Sequence, residues 1–329
     1  MSEQNRSQDD ARIDDGLADD ALIDDALILA IDSGTQSVRA LLFDLQGNLV
    51  ARKKIDLEPL RSPEPGWAEQ DADEVWRKVC EACQQLWIEI GDQKQKIAGL
   101  AVTSQRGTIV NIDCQGEPLR PAISWLDQRR ARTLAPLGKA WELLFRAIGQ
   151  RGLIDFFRRQ AESNWIRAEQ PELWERTEKF LLLSGYLHFR LCGKYVDSVA
   201  SQVGYIPFSY KDQTRCPSWD WKWQATGIEP KHLPKLAPAG ERIGQVSLEA
   251  SQQTGLPLGL PIIAAAADKA CEVIGSGCLS PEVGAISYGT TATINTTSKK
   301  YVEVIRFLPA YPSAVPGSYL SLIHISEPT

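Results

Sequence analysis

Three short stretches hold residue types whose spacing suits phosphate and hydroxyl chemistry. The first, Asp32-Ser33-Gly34-Thr35-Gln36-Ser37, follows an apolar run at residues 26–31. The second, Tyr288-Gly289-Thr290-Thr291, repeats the design of a strand running into a polar Gly-Thr turn. Glycine lets the backbone approach a bulky anion, and N–H groups and Ser/Thr hydroxyls then donate to phosphate oxygens. The candidate phosphate ligands are Ser33, Gly34, Thr35 and Gln36 in one turn and Gly289, Thr290 and Thr291 in the other. Asp32 would repel phosphate directly, so its place in such chemistry is to hold a hydrated Mg2+ between itself and the anion. Each turn taken alone also reads as an ordinary turn. The third stretch is Asp268, which follows Ile262-Ile263-Ala264-Ala265-Ala266-Ala267. Small residues there leave room for a ligand against the backbone, and a carboxylate at a strand end can accept a proton from an alcohol. Asp is equally a good helix N-cap, and a helix-like Ala270-Cys271-Glu272-Val273-Ile274 follows it. The absence of GxxxxGK[ST] and GxGxxG argues against P-loop and Rossmann chemistry.

These groups need elements to hold them. Residues 26–31 read as a buried strand, and 38–43 and 49–55 as a hairpin around the Asp44–Asn48 turn. Asp71 or Asp73 can cap a helix in which Val75, Trp76, Val79, Ala82, Cys83 and Leu86 recur at helical spacing. Residues 97–103 and 108–112 read as strands, the latter turning at Gln115-Gly116. Residues 134–180 are mostly helical in pattern, with Pro171 near a helix start. Residues 180–191 read as a buried helix ending at Gly193. Trp219-Asp220-Trp221-Lys222-Trp223 reads as a packing cluster at a helix start or as a ligand platform. Residues 257–267 run from a turn into a buried strand, and 284–297 form a strand pair.

The chain has 329 residues, enough for about two domains. Apolar residues make up 43% and charged residues 24%, so a real core is available and disorder throughout is excluded. Net charge is −6, but residues 1–26 alone carry nine acids and two bases, leaving +1 for the rest. A nearly neutral body gives no electrostatic footprint for nucleic acid or an anionic membrane. The paired aspartates of residues 1–26 predict an acidic disordered leader, functionless or an interaction tail. Seven scattered cysteines include one CxxC pair, Cys80 and Cys83, inside a helical pattern, which favours buried or free thiols over zinc or redox use. No run approaches the ~20 apolar residues of a membrane span, and the N-terminus lacks a secretory pattern, so the expected compartment is the cytoplasm. Residues 320–329, LSLIHISEPT, resemble the translation of a sequencing-library adaptor. They are expected to be a non-native scar outside the fold, with the natural chain continuing past Tyr319.

Several stretches together resemble the FGGY carbohydrate kinases of the actin-like ATPase superfamily. They are AIDSGTQSVRALLFDLQGNLV (30–50), PGWAEQDADEVW (65–76), VTSQRGTIVNID (102–113), PAISWLDQRRA (121–131), KFLLLSGYLHFRLCGKYVDSVAS (179–201), the long segment 227–277 and GAISYGTTATI (284–294). Order and spacing agree over about residues 27–319, least well near 133–164. The resemblance implies an α/β fold: a ribonuclease-H-like (actin-like ATPase) N-terminal sugar-binding domain at 27–277. The beginning of a second, similar, ATP-binding domain would follow at 278–319. It implies that the 32–37 and 288–291 turns hold ATP phosphates with Mg2+ near Asp32, and that Asp268 is the catalytic base. It places Gln105, Arg106, Trp125 and Asp127 where a sugar or polyol is gripped. Gly107 stands where better-known members often carry Glu or His, and Lys269 where they usually carry Asn or Gln. Lys269 would bind a substrate oxygen or pair with Glu272. The implied activity is ATP-dependent phosphorylation of a sugar or polyol hydroxyl, with this chain an inactive fragment and the full-length protein a possible homo-oligomer. The alternative is a non-catalytic actin-like nucleotide or sugar sensor.

Overall fold

Strand β1 (Leu27–Ser33) alternates fully buried and partly buried residues along its whole length. Leu27, Leu29, Ile31 and Ser33 therefore share one face, and Asp32 projects from the other. The computed structural model describes residues 25–288, 292–303 and 309–325. β1 turns tightly into β2 (Ser37–Asp44), which pairs antiparallel with it, and β2 pairs with β3 (Leu49–Asp56). The Asp44 carboxylate closes the second hairpin by accepting from the Gln46 and Asn48 N–H groups at 2.9 and 2.8 Å. Helix α1 (Ala72–Ile90) lays Val75, Trp76, Val79, Cys83 and Leu86 on this meander. Asp71 is its N-cap, accepting from the Asp73 and Glu74 N–H groups. β4 (Glu69–Gln70) precedes the helix and β5 (Ile97–Ser104) follows it.

β5 runs parallel to β1, with Asp32 opposite Thr103 and Ser33 opposite Ser104. The strand Pro261–Ile263 runs parallel to β5 on its other side, and Arg242–Gln245 closes that edge. The six-stranded sheet thus sends the chain beyond Ser33, Ser104 and Ile263 to a common end, where ligand sites gather in α/β sheets. A second, antiparallel sheet is built from β4, β6 (Ile109–Ile112), β7 (Ala122–Ile123) and β8 (Lys179–Leu182). Between β7 and β8 lie four short helices: α2 (Lys139–Ala147), α3 (Arg151–Gln160), α4 (Glu162–Glu169) and α5 (Pro171–Arg176), with Pro171 in the first turn of α5. Ile109, Ile123, Trp165, Ile166, Phe180 and Phe208 form the core there.

Three expectations need correction. Residues 180–191 are not one helix. Lys179–Leu182 form β8 against β6, and helix α6 (Leu183–Cys192) follows, ending at Gly193 with φ +67°. A continuous apolar run has no period to separate strand from helix, and pairing with β6 decides it. The buried strand expected to follow a turn within 257–267 is only Pro261–Ile263, and residues 264–267 lie outside any strand. Residues 320–325 are not outside the fold: the strand Tyr319–Ile325 pairs with Ala292–Ser298 on one side and Tyr311–Pro312 on the other. With Ala285–Tyr288 these make a third sheet, and Leu320 is buried beside Ala266 and Ala270. A β-branched and apolar run beside an unpaired strand edge pairs readily, whatever its origin. Residues 326–329, and all but Asp25 and Ala26 of the acidic leader, lie outside the described residues. Among the described residues no helix is long and apolar enough to cross a membrane.

Candidate active site

The β1–β2 turn is closed by the Gly34 N–H donating to the Ser37 carbonyl at 3.0 Å. Ser33 is buried with no partner for its hydroxyl among the described residues, and Gln36 is exposed. Asp32 faces Arg39 across the ladder, and the guanidinium donates to its carboxylate at 2.6 Å. Gly289, Thr290 and Thr291, the second expected phosphate turn, lie outside the described residues. The strand pair that frames them, Ala285–Tyr288 and Ala292–Ser298, is present and antiparallel.

Asp268 opens the helix Asp268–Gly275 from inside its first turn. The N-cap is Ala267, which makes no side-chain cap bond. The cap reading of Asp268 is therefore not the geometry found, although its carboxylate does accept from the Lys269 N–H at 2.7 Å. The preceding alanines are tied down by their backbone. Thr103 Oγ1 donates to the Ala266 carbonyl at 2.8 Å, Ser198 Oγ to Ala265 at 2.5 Å, and the Ala267 N–H donates to Ala200 at 3.1 Å. Small side chains allow this close approach, and it fixes where Asp268 emerges. Burial pushes the Asp268 carboxyl above its usual range and the nearby Asp32 charge adds to the rise, while the Lys269 N–H, Arg106 and the Lys269 ammonium oppose it. Two carboxylates and a guanidinium therefore share one neighbourhood. The Lys269 ammonium is bound to Glu272 at 2.6 Å and to Ser287 Oγ at 3.3 Å, joining this helix to the third sheet.

The four side chains expected to grip an acceptor divide into two pairs. Arg106 stacks on the Tyr311 ring, 5.4 Å from its centroid, and Trp125 is 53% exposed. Gln105 and Asp127 are turned inward. Gln105 accepts from Thr35 Oγ1 at 2.7 Å and donates to Gln70 Oε1 at 2.6 Å. Asp127 accepts from the Ala68 N–H at 2.7 Å and from Arg129 through its backbone and guanidinium at 2.7–2.8 Å. Arg129 also reaches Glu69 at 2.9 Å, Glu69 binds Arg120, and Arg129 stacks on Trp67. This buried charge network was not anticipated. Neither was Gln70, which sits inside a quoted stretch, but whose partners are distant in sequence. Gly107 has φ +70°, so a side chain at this position would be strained.

Among the described residues no group of three or more His, Cys, Asp or Glu is placed to hold a metal. Mg2+ bound through water and phosphate needs only one or two carboxylates, and the neighbouring Asp32 and Asp268 fit that demand. One oxygen of Asp32 is already committed to Arg39.

A family model described as the FGGY family of carbohydrate kinases, N-terminal domain, matches residues 27–275, and the chain belongs to that family. It is 27% identical over 277 residues to an uncharacterized sugar kinase of Escherichia coli, covering 83% of this chain and 48% of that one. It is 28% identical over 306 residues to the xylulose kinase of Lactococcus lactis, covering 90% and 58%. The crystal structure of xylulose kinase from Rhodospirillum rubrum superposes with a TM-score of 0.77 at 25% identity, covering 91% of this chain and 60% of that one. The fold is therefore that of the FGGY sugar kinases. The chain spans about half the length of the curated relatives it matches.

Proposed function

We propose that the protein transfers the γ-phosphoryl group of ATP to a hydroxyl of a sugar or polyol. The observation that carries this reading is Asp268, a partly buried carboxyl that opens the helix following the Pro261–Ile263 strand, on the sheet end where β1 delivers Asp32 and β5 leads to Arg106. Asp268 would take the hydroxyl proton as the oxygen attacks, and burial raises its basicity toward that task. The Arg106 fork suits adjacent hydroxyls of an acceptor, and Trp125 offers an apolar face to its carbons. The N–H groups of Thr35 and Gln36 would donate to phosphate oxygens, the Gly34 N–H being spent on the Ser37 carbonyl. Mg2+, held near Asp32 through water, would neutralise phosphate charge. Relatives named xylulose kinase and glycerol kinase support a polyol-like acceptor without choosing one. In this reading the 329-residue chain itself lacks turnover, because it spans only about half of those relatives.

Site-directed variants of a version extended to the relatives' length test the reading. Asp268→Asn is expected to lower turnover by about 10²–10⁴ with little change in acceptor binding. Arg106→Ala should raise the acceptor KM and leave ATP affinity unchanged. Near-normal turnover in Asp268→Asn removes the base assignment.

A further inference from the structure

Three side chains, Gln70, Gln105 and Thr35, close a circuit that the Trp125 indole joins. Gln70 Nε2 donates to the Thr35 carbonyl at 3.2 Å, and Gln105 Nε2 donates to Gln70 Oε1 at 2.6 Å. Thr35 Oγ1 donates to Gln105 Oε1 at 2.7 Å and accepts from the Trp125 indole at 3.0 Å. The direction of every bond follows from its two ends. A carbonyl only accepts and an indole N–H only donates. Gln70 must therefore present its NH2 to Thr35, which turns its oxygen to Gln105. That turns the Gln105 oxygen to the Thr35 hydroxyl, whose single proton is spent there, and its lone pair takes the indole. Gln70 and Gln105 are both buried, so an amide turned the wrong way would strand polar groups at a cost of about 1–3 kcal/mol.

We propose that Gln70 is a positioning residue. It sets the polarity of this circuit, holds the Trp125 ring on the cleft wall and couples that ring to the 34–37 turn. The statement that Trp125 faces an acceptor rests on the kinase reading above, whereas the circuit does not. A molecule resting on Trp125 then steadies Thr35 through one shared hydroxyl. Occupancy of the acceptor side is thereby communicated to the phosphate side without movement of the sheet. Bonds in such a chain polarise one another, so the loss of one member weakens the rest.

The test uses the 329-residue chain labelled with [15N]tryptophan. The Trp125 indole signal is assigned by its loss in Trp125→Phe. Gln70→Met, similar in volume but unable to hydrogen-bond, is expected to speed exchange of the Trp125 indole proton at least about tenfold. The indoles of Trp76 and Trp87, which donate to Gln253 Oε1 and to the Thr254 carbonyl, serve as internal references and should not change. Gln70→Glu should restore slow exchange, relative to those references, only when its carboxyl is protonated and can again donate to the Thr35 carbonyl. Calorimetric affinity for glycerol and D-xylulose should fall about tenfold in Gln70→Met, the worth of one lost hydrogen bond. Unchanged Trp125 exchange in both Gln70 variants overturns the proposal. Faster exchange with unchanged affinity overturns its acceptor half. If the wild-type chain binds neither probe, the acceptor half is overturned for these two compounds, while the exchange data still decide the circuit.

Discussion

Glu162, the first residue of α4, carries a carboxyl that burial pushes up to about 7. The nearby Asp127 charge adds to the rise, while its own backbone N–H, Arg130 and Arg129 oppose it. A carboxyl whose folded pKa lies above its unfolded value binds more protons folded than unfolded. Its contribution to stability is fully present below about pH 4.5 and is lost as pH rises through about 7. Glu162→Gln should therefore match the wild-type Tm near pH 4 and exceed it at pH 8. A variant less stable than wild type at pH 8 would contradict this. The same residue-level physics disposes of the CxxC pair. Burial pushes the Cys80 thiol up to about 11 and Cys83 higher still, so neither is a ready nucleophile.

Among the elements, α1 was the most legible in the sequence. Its apolar residues keep one helical face over five turns, and Asp71 stands immediately before it. Leu86, fully buried on that face, should cost about 2–5 kcal/mol when replaced by Ala. Asp71→Ala should cost about 1 kcal/mol through two lost cap bonds. Urea unfolding measures both, and a Leu86→Ala loss smaller than that of Asp71→Ala would place α1 off the core. The β1–β2–β3 meander was equally readable, because Gly and Asn punctuate it. β8 was not, since Phe180-Leu181-Leu182-Leu183 has no period to distinguish the strand from the helix that follows. The site was half legible. Asp32, Arg106 and Asp268 are carried to one end of the sheet by β1, β5 and the Pro261–Ile263 strand. The inward roles of Gln105 and Asp127 depend on Gln70, Thr35 and Arg129, and two of those pairings span 35 and 70 residues. No local pattern reports a partner so far along the chain.

At the scale of the molecule, the chain completes one six-stranded sheet and one antiparallel sheet and adds a four-stranded third sheet. The chain spans about half the length of its relatives. Phosphoryl transfer of the proposed kind is mostly positioning, with two sides of a cleft closing on the reactants. The 329-residue chain is therefore expected to consume no ATP in response to a broad sugar and polyol panel. Robust sugar-dependent consumption would show that the described sheets suffice. The third sheet also leaves Ala285–Tyr288 as an edge strand with Ile286 51% exposed, a template for self-association. Glu69, Arg120, Asp127 and Arg129 form a sealed ionic cluster, while Trp125 is exposed and Arg106 half-buried outside it. Natural selection meets these two layers differently. An exchange in the sealed layer strands a charge and is purged as a folding defect. In the proposed reading, an exchange in the outer layer would change which molecule is welcomed and leave the frame intact. New acceptor preferences would then arise by drift, one residue at a time, on an inherited scaffold.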